Sequence, residues 1–150
     1  MKPITLRDAE SRTLELTGEC VIERPVKPQP TYYSGTVWSW RFPKRDSHGV
    51  SGITGSAEGL ALALREYSPL GQPGEQRWCR ETFAVCKLWS PYADEVRYKA
   101  TLPENQGRYI KWRSPITMPR WASRATVEIL DVKVEHGESW DWIARARRVE

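Results

Sequence analysis

Seven cations crowd the 28 residues from Arg97 to Arg124: Arg97, Lys99, Arg108, Lys111, Arg113, Arg120 and Arg124. They meet a single acid, Glu104, so the segment carries +6 where the whole chain carries +4. Tyr98, Tyr109, Trp112 and Trp121 are interleaved with them. A polyanion is held by cations spaced along a surface, and unpaired bases need flat rings between those cations. Arg120 and Arg124 flank Trp121 and Ser123, which puts two forked donors beside a stacking plate and a hydroxyl. A solvated, Arg-rich sheet face would have the same composition, and Trp121 would equally suit the filling of a core.

A second set lies upstream. Arg24 and Lys27 are spaced for phosphate contact, and Cys20 and Glu23 precede them. A Cys20 thiolate needs a nearby cation or His; Arg24 is a candidate cation, and neither His48 nor His136 is close in sequence. A small buried residue is the competing reading of Cys20. Further on, Arg80 and Glu81 are adjacent, so on one strand only one of them can face a cleft. Glu81 could orient a base edge or act as an acid/base, or the two could form an exterior charge pair.

Other chemistry is missing from the sequence. It has no GxGxxG, no Walker A loop and no HExxH. Cys20, Cys79 and Cys86 are odd in number and at no metal-ligand spacing. The expectation is no cofactor, no metal, and reduced thiols in a cytoplasmic protein. No apolar run approaches the ~20 residues of a membrane span, and Met1–Glu10 has no secretory signature. At 150 residues, with 28% charged and 39% hydrophobic side chains, one domain over 1–150 is expected.

The elements that must position these groups can be read from periodicity. Asp8–Thr17 reads as a short helix stopped by Gly18. Glu19–Arg24 reads as a strand closed by Pro25, and Pro28 and Pro30 hold Lys27–Pro30 extended. Thr36–Phe42 alternates, with Trp38, Trp40 and Phe42 on one side as core. Residues 43–55 read as a mobile polar loop, and Ser56–Tyr67 as a helix or helical turn. Arg77–Leu88 reads as one strand, with Trp78, Arg80 and Thr82 opposite Cys79, Glu81 and Phe83. Val96–Ala100 and Arg108–Trp112 read as two strands around a turn, and Ser114–Pro119 as a Pro-bounded loop. Ala125–Val134 is the clearest strand; His136–Ser139 is a turn, and Trp140–Val149 is the last strand. Many short strands with few helices predict an α+β, mostly β fold, a barrel or a sandwich.

Three strings carry a resemblance: Val26-Lys-Pro-Gln-Pro30, Gly71-Gln-Pro-Gly-Glu-Gln-Arg-Trp-Cys-Arg-Glu-Thr-Phe83, and the run from Ser114 to Glu135 that contains Met118-Pro-Arg-Trp-Ala-Ser-Arg124. Together they resemble the ASCH-domain-like proteins of tailed phages and prophages, over most of the chain. The resemblance implies a small PUA-like twisted β-barrel with one or two short helices. It also implies a cleft that binds RNA or modified bases.

Where the family signature runs Gly-x-Lys, then Glu or Thr, this chain has Gly18-Glu-Cys20-Val-Ile-Glu23-Arg24. Cys20 replaces the Lys that belongs to the catalytic set of the amidohydrolase members. The family's acidic helix and long loop after the Ala125–Glu135 strand are replaced by a four-residue turn near 136–139, which reads as a deletion. Such a short connection favours a tight hairpin.

The leading expectation is thus a binding module for RNA or single-stranded nucleic acid. Its contacts would be Arg24, Lys27, Arg80, Lys111, Trp112, Arg120, Trp121, Ser123 and Arg124. Two alternatives stay open. One is a divergent nucleoside amidohydrolase or nuclease using Glu23 and Glu81, with Cys20 as a further candidate. The other is a phage protein that binds a host protein.

Overall fold

Short alternating runs separated by Gly and Pro cannot make long helices, and the described residues are mostly β with two α-helices. The computed structural model describes residues 1–41, 52–87, 94–106 and 110–149. Strand β1 (Pro3–Thr5) leads to helix α1 (Asp8–Thr17). Gly18 ends α1 with φ 80°, a left-handed angle that costs a residue without Cβ little, and its N–H donates to the Leu14 carbonyl. Then follow β2 (Glu19–Pro25), β3 (Thr31–Ser34), β4 (Val37–Arg41) and β5 (Gly52–Gly55). Helix α2 (Ala57–Leu64) is capped by the Ser56 side chain, which accepts from the Gly59 N–H. After a 3-10 turn come β6 (Gln76–Arg80), β7 (Phe83–Lys87) and β8 (Asp94–Tyr98). The long strands β9 (Thr126–His136) and β10 (Trp140–Arg148) close the order.

Among the described residues the strands make three sheets: β1-β6-β9-β10-β2, β3-β4-β5 and β7-β8. β1 runs parallel to β6 and β9 antiparallel to it. β9 and β10 are neighbours joined through Gly137–Ser139, the tight hairpin that the short connection favours.

Three sequence expectations need correction. Gly52–Gly55, read as part of a loop, is β5: Trp40 pairs with Ile53 and Arg41 with Gly52. The rest of that loop, residues 43–51, lies outside the described residues, as does Phe42. Arg77–Leu88 is not one strand. It breaks at Glu81-Thr82, and Phe83 leaves the large sheet to pair with Tyr98 and with Arg113. The side-chain alternation nevertheless persists through the break: Cys79, Glu81 and Phe83 are buried, while Trp78, Arg80 and Thr82 are half-buried. Finally, Ile110–Trp112 form no strand, and residues 107–109 lie outside the described residues. Ser114–Ala122 instead coils through two 3-10 turns, with Pro115 and Pro119 removing backbone donors that a ladder would need.

The residues group into two compact units. The first comprises Met1–Cys20, Glu75–Ile129 and Ala146–Glu150. Ile4, Leu6, Leu14, Cys79, Val127 and Ile129 are buried in it. Phe83, Met118 and Ala122 form a local cluster against Trp78, Val85, Val96 and Tyr98. This cluster seats the coiled 114–122 segment on the β7–β8 pair.

The second unit comprises Val21–Gly74 and Leu130–Arg145. Its core is aromatic. Trp140 stacks on His136 at 4.2 Å and meets Trp38 edge-on at 5.3 Å, and Trp40 meets Tyr67 and Trp142. The Lys27–Pro30 segment serves this core. Gln29 accepts the Trp140 N–H at 2.8 Å and donates to the Trp140 carbonyl at 2.9 Å. Pro28 gives its carbonyl to the Trp40 indole N–H at 2.8 Å. A segment without ladder partners is thereby pinned through a side-chain amide.

Candidate nucleic-acid interface

The first unit holds most of the residues singled out by the sequence. Arg124 is the last cation of the basic segment. Its Nε and one terminal nitrogen donate to the two Glu81 oxygens at 3.0 and 2.8 Å, a bidentate pair. The other terminal nitrogen donates to the Thr101 hydroxyl at 2.9 Å, and the guanidinium carbon sits 4.1 Å from the Tyr98 ring centre. Glu15 of α1 lies 3.7 Å from the same Nε and accepts from Arg148 at 2.7 Å. Arg148 closes the circuit by donating to the Arg124 carbonyl. Two acids and two arginines thus neutralise one another. The Glu81 side chain is only 3% exposed, so its charge needs that partner. Arg124 is held inward by these contacts, and Glu81 is occupied as its counter-ion.

Arg80 and Arg120 are different. Arg80 projects from the same side of β6 as Trp78, and the Arg120 guanidinium lies over the Trp78 ring at 5.5 Å. Neither has an acid within ion-pair distance among the described residues, and the Arg80 Nε is buried with no hydrogen-bond partner. Trp121, next to Arg120, is 66% exposed. Lys99, Lys111, Arg113 and Arg120 are all exposed, and Trp112 is half-buried. Arg97 is paired with Glu95. Ser123 is structural in its contacts: its hydroxyl lies 2.7 Å from the Cys79 carbonyl and 3.1 Å from that of Ala125.

Glu23, Arg24 and Lys27 belong to the second unit. Glu23 and Lys27 are exposed, and Arg24 donates to the Glu23 carbonyl at 2.6 Å. Cys20 is buried on β2. The structure therefore brings together Arg80, Glu81, Ser123 and Arg124 around β6, with Arg120 beside Trp78. Trp78 escaped the sequence reading as anything but packing. Its position two residues before Arg80 on a strand was the available signal.

The thiols show the same burial. Burial pushes the Cys79 thiol up to about 12 from 9.0, with Cys20 and Glu81 adding to the rise and Arg148 opposing it. Mild alkaline alkylation of the folded protein should therefore label half-buried Cys86 and spare Cys20 and Cys79. Labelling of all three without denaturant would contradict this. The folded-state value is raised, so the thiol's contribution to stability is present below 9.0. It is lost as pH climbs toward about 12.

Among the described residues no group of His, Cys, Asp and Glu is arranged to hold a metal, and no helix is long and apolar enough to cross a membrane. No family model, curated protein or solved structure matches the chain.

Proposed function

We propose that the chain is an ASCH-like, PUA-type phage module that binds RNA or single-stranded nucleic acid. The observation that carries the reading is the Arg80–Trp78–Arg120 arrangement with exposed Trp121 beside it. Arg120 lies over the Trp78 indole, and Arg80 shares the Trp78 side of β6. Among the described residues neither guanidinium has an acid partner, and the buried Arg80 Nε has no acceptor. The guanidinium groups suit a phosphate oxygen or base edge, and charge-assisted hydrogen bonds of this kind are the strong ones. Trp121 offers a face on which any base can stack. Lys99, Lys111 and Arg113 extend the positive surface for a backbone to follow. The twisted barrel implied by the family resemblance is part of this proposal.

Filter-binding titration with short single-stranded RNA and DNA across a salt series tests it. Binding at low salt should weaken linearly in log salt, by about 0.7 in log K for each phosphate neutralised. Absence of binding at low salt, or affinity indifferent to salt, overturns the proposal.

A further inference from the structure

A cavity of about 690 Å³ opens in the first unit, and Arg80, Trp78 and Arg120 are not among its lining residues. Its size falls in the range of ligand pockets, about 300–1,000 Å³. It is lined by Asp8, Arg12, Lys99, Glu104, Asn105 and Trp112, among others. The charges in it do not neutralise one another. Among the described residues neither Asp8 nor Glu104 forms an ion pair, and Lys99 forms none either. Arg12 is fixed by its Nε, which donates to the Ala100 carbonyl at 2.9 Å, leaving its terminal nitrogens for a ligand. Asp8 and Arg12 are four apart on α1 and so share a helix face.

A pocket with carboxylates, cations and an indole wall selects a ligand that carries donors, an anion and a flat ring. We infer that it takes a single unpaired guanine nucleotide. Guanine alone among the common bases presents two adjacent donors, N1–H and N2–H₂, on its Watson–Crick edge. A carboxylate accepts both in parallel. Adenine and cytosine place an acceptor beside their amino donor, and uracil places acceptors on both sides of N3–H. A carboxylate repels those acceptors. Asp8 or Glu104 reads the donor edge, Trp112 stacks on the ring, and Arg12 and Lys99 hold the phosphate. The Asn105 amide is a donor for O6.

This inference rests on the nucleic-acid reading above for its RNA context, and the experiment separates the two. GMP, AMP, CMP and UMP are titrated into the full chain, alongside an oligo-uridine RNA. GMP should bind about tenfold or more tighter than the other three, the discrimination that one bidentate contact supplies. The Asp8→Asn/Glu104→Gln double variant should erase that preference while oligo-uridine binding persists. Equal or absent binding of the four nucleotides with oligo-uridine binding intact overturns the guanine pocket and leaves the RNA reading standing. Preferential GMP binding without oligonucleotide binding sustains the pocket and overturns the RNA reading. A preference for GMP that survives in the double variant also overturns the pocket as assigned.

Discussion

Glu81→Ala should destabilise the fold by about 3–5 kcal/mol, the cost of leaving one member of a buried ion pair uncompensated. For a chain of this length that is a fall in melting temperature of roughly 6–20 °C. The size follows from the geometry. Glu81 is 2% exposed, both its oxygens are taken by Arg124, and the Arg124 side chain is itself only 18% exposed. Removing the carboxylate strands a guanidinium that, among the described residues, keeps only Thr101, the Tyr98 face and the more distant Glu15. Arg124→Ala should cost a comparable amount, because it strands a more deeply buried charge. The double variant should lose less than the sum of the two, since each single change already destroys the shared contact. Chemical unfolding of the four proteins measures the cycle. A loss below about 1 kcal/mol for Glu81→Ala would show that the pair behaves as a solvated surface bridge.

The second large effect concerns binding. Arg80→Ala/Arg120→Ala should weaken single-stranded RNA binding and flatten its salt dependence by about 1.4 in slope, two phosphate contacts at ~0.7 each. Trp121→Ala should weaken the same binding by about 1–3 kcal/mol without changing the slope, because stacking releases no counterions. The separation is the informative part: charge removal moves slope and affinity together, ring removal moves affinity alone. A double variant that keeps the wild-type slope would dissociate Arg80 and Arg120 from the phosphate backbone. Titrations of the three proteins over one salt series decide the matter.

Local signals were legible in the chain wherever one residue type had one physical meaning. Gly18 after a ten-residue amphipathic run could only stop a helix, and α1 spans Asp8–Thr17. The alternation of Val127 and Ile129, resumed one residue out of step at Val132 and Val134, marked β9, and Trp140 and Trp142 marked β10. The break between β6 and β7 carried no such mark. Arg80-Glu-Thr-Phe83 contains neither Gly nor Pro, and the turn is imposed by pairing partners distant in sequence, Tyr98 and Arg113. β5 failed for the opposite reason: Gly52-Ile-Thr-Gly55 looks like a loop, and only its neighbour β4 makes it a strand.

For the candidate site, residue types were legible and partners were not. Glu81 and Arg124 are 43 positions apart, and nothing local says they meet. Composition counted Arg124 as surface charge. Burial turned it into a counter-ion, whereas Arg80 and Arg120 have no acid partner among the described residues.

The Glu15–Arg148–Arg124–Glu81 circuit has a consequence for the order in which the chain can fold during synthesis. Its members come from the first helix, the β6–β7 break, the segment just before β9 and the last strand. A ribosome delivers them one after another, with more than 130 positions between Glu15 and Arg148. Glu81 is made before Arg124, and Glu15 before either of its arginines. The nascent chain therefore carries Glu81 unmatched until Arg124 emerges, and Glu15 without Arg148 until the final strand does. The first unit is assembled from three separated stretches, so its core is completed late. Until then the carboxylates can stay hydrated, and their burial waits for the arginines.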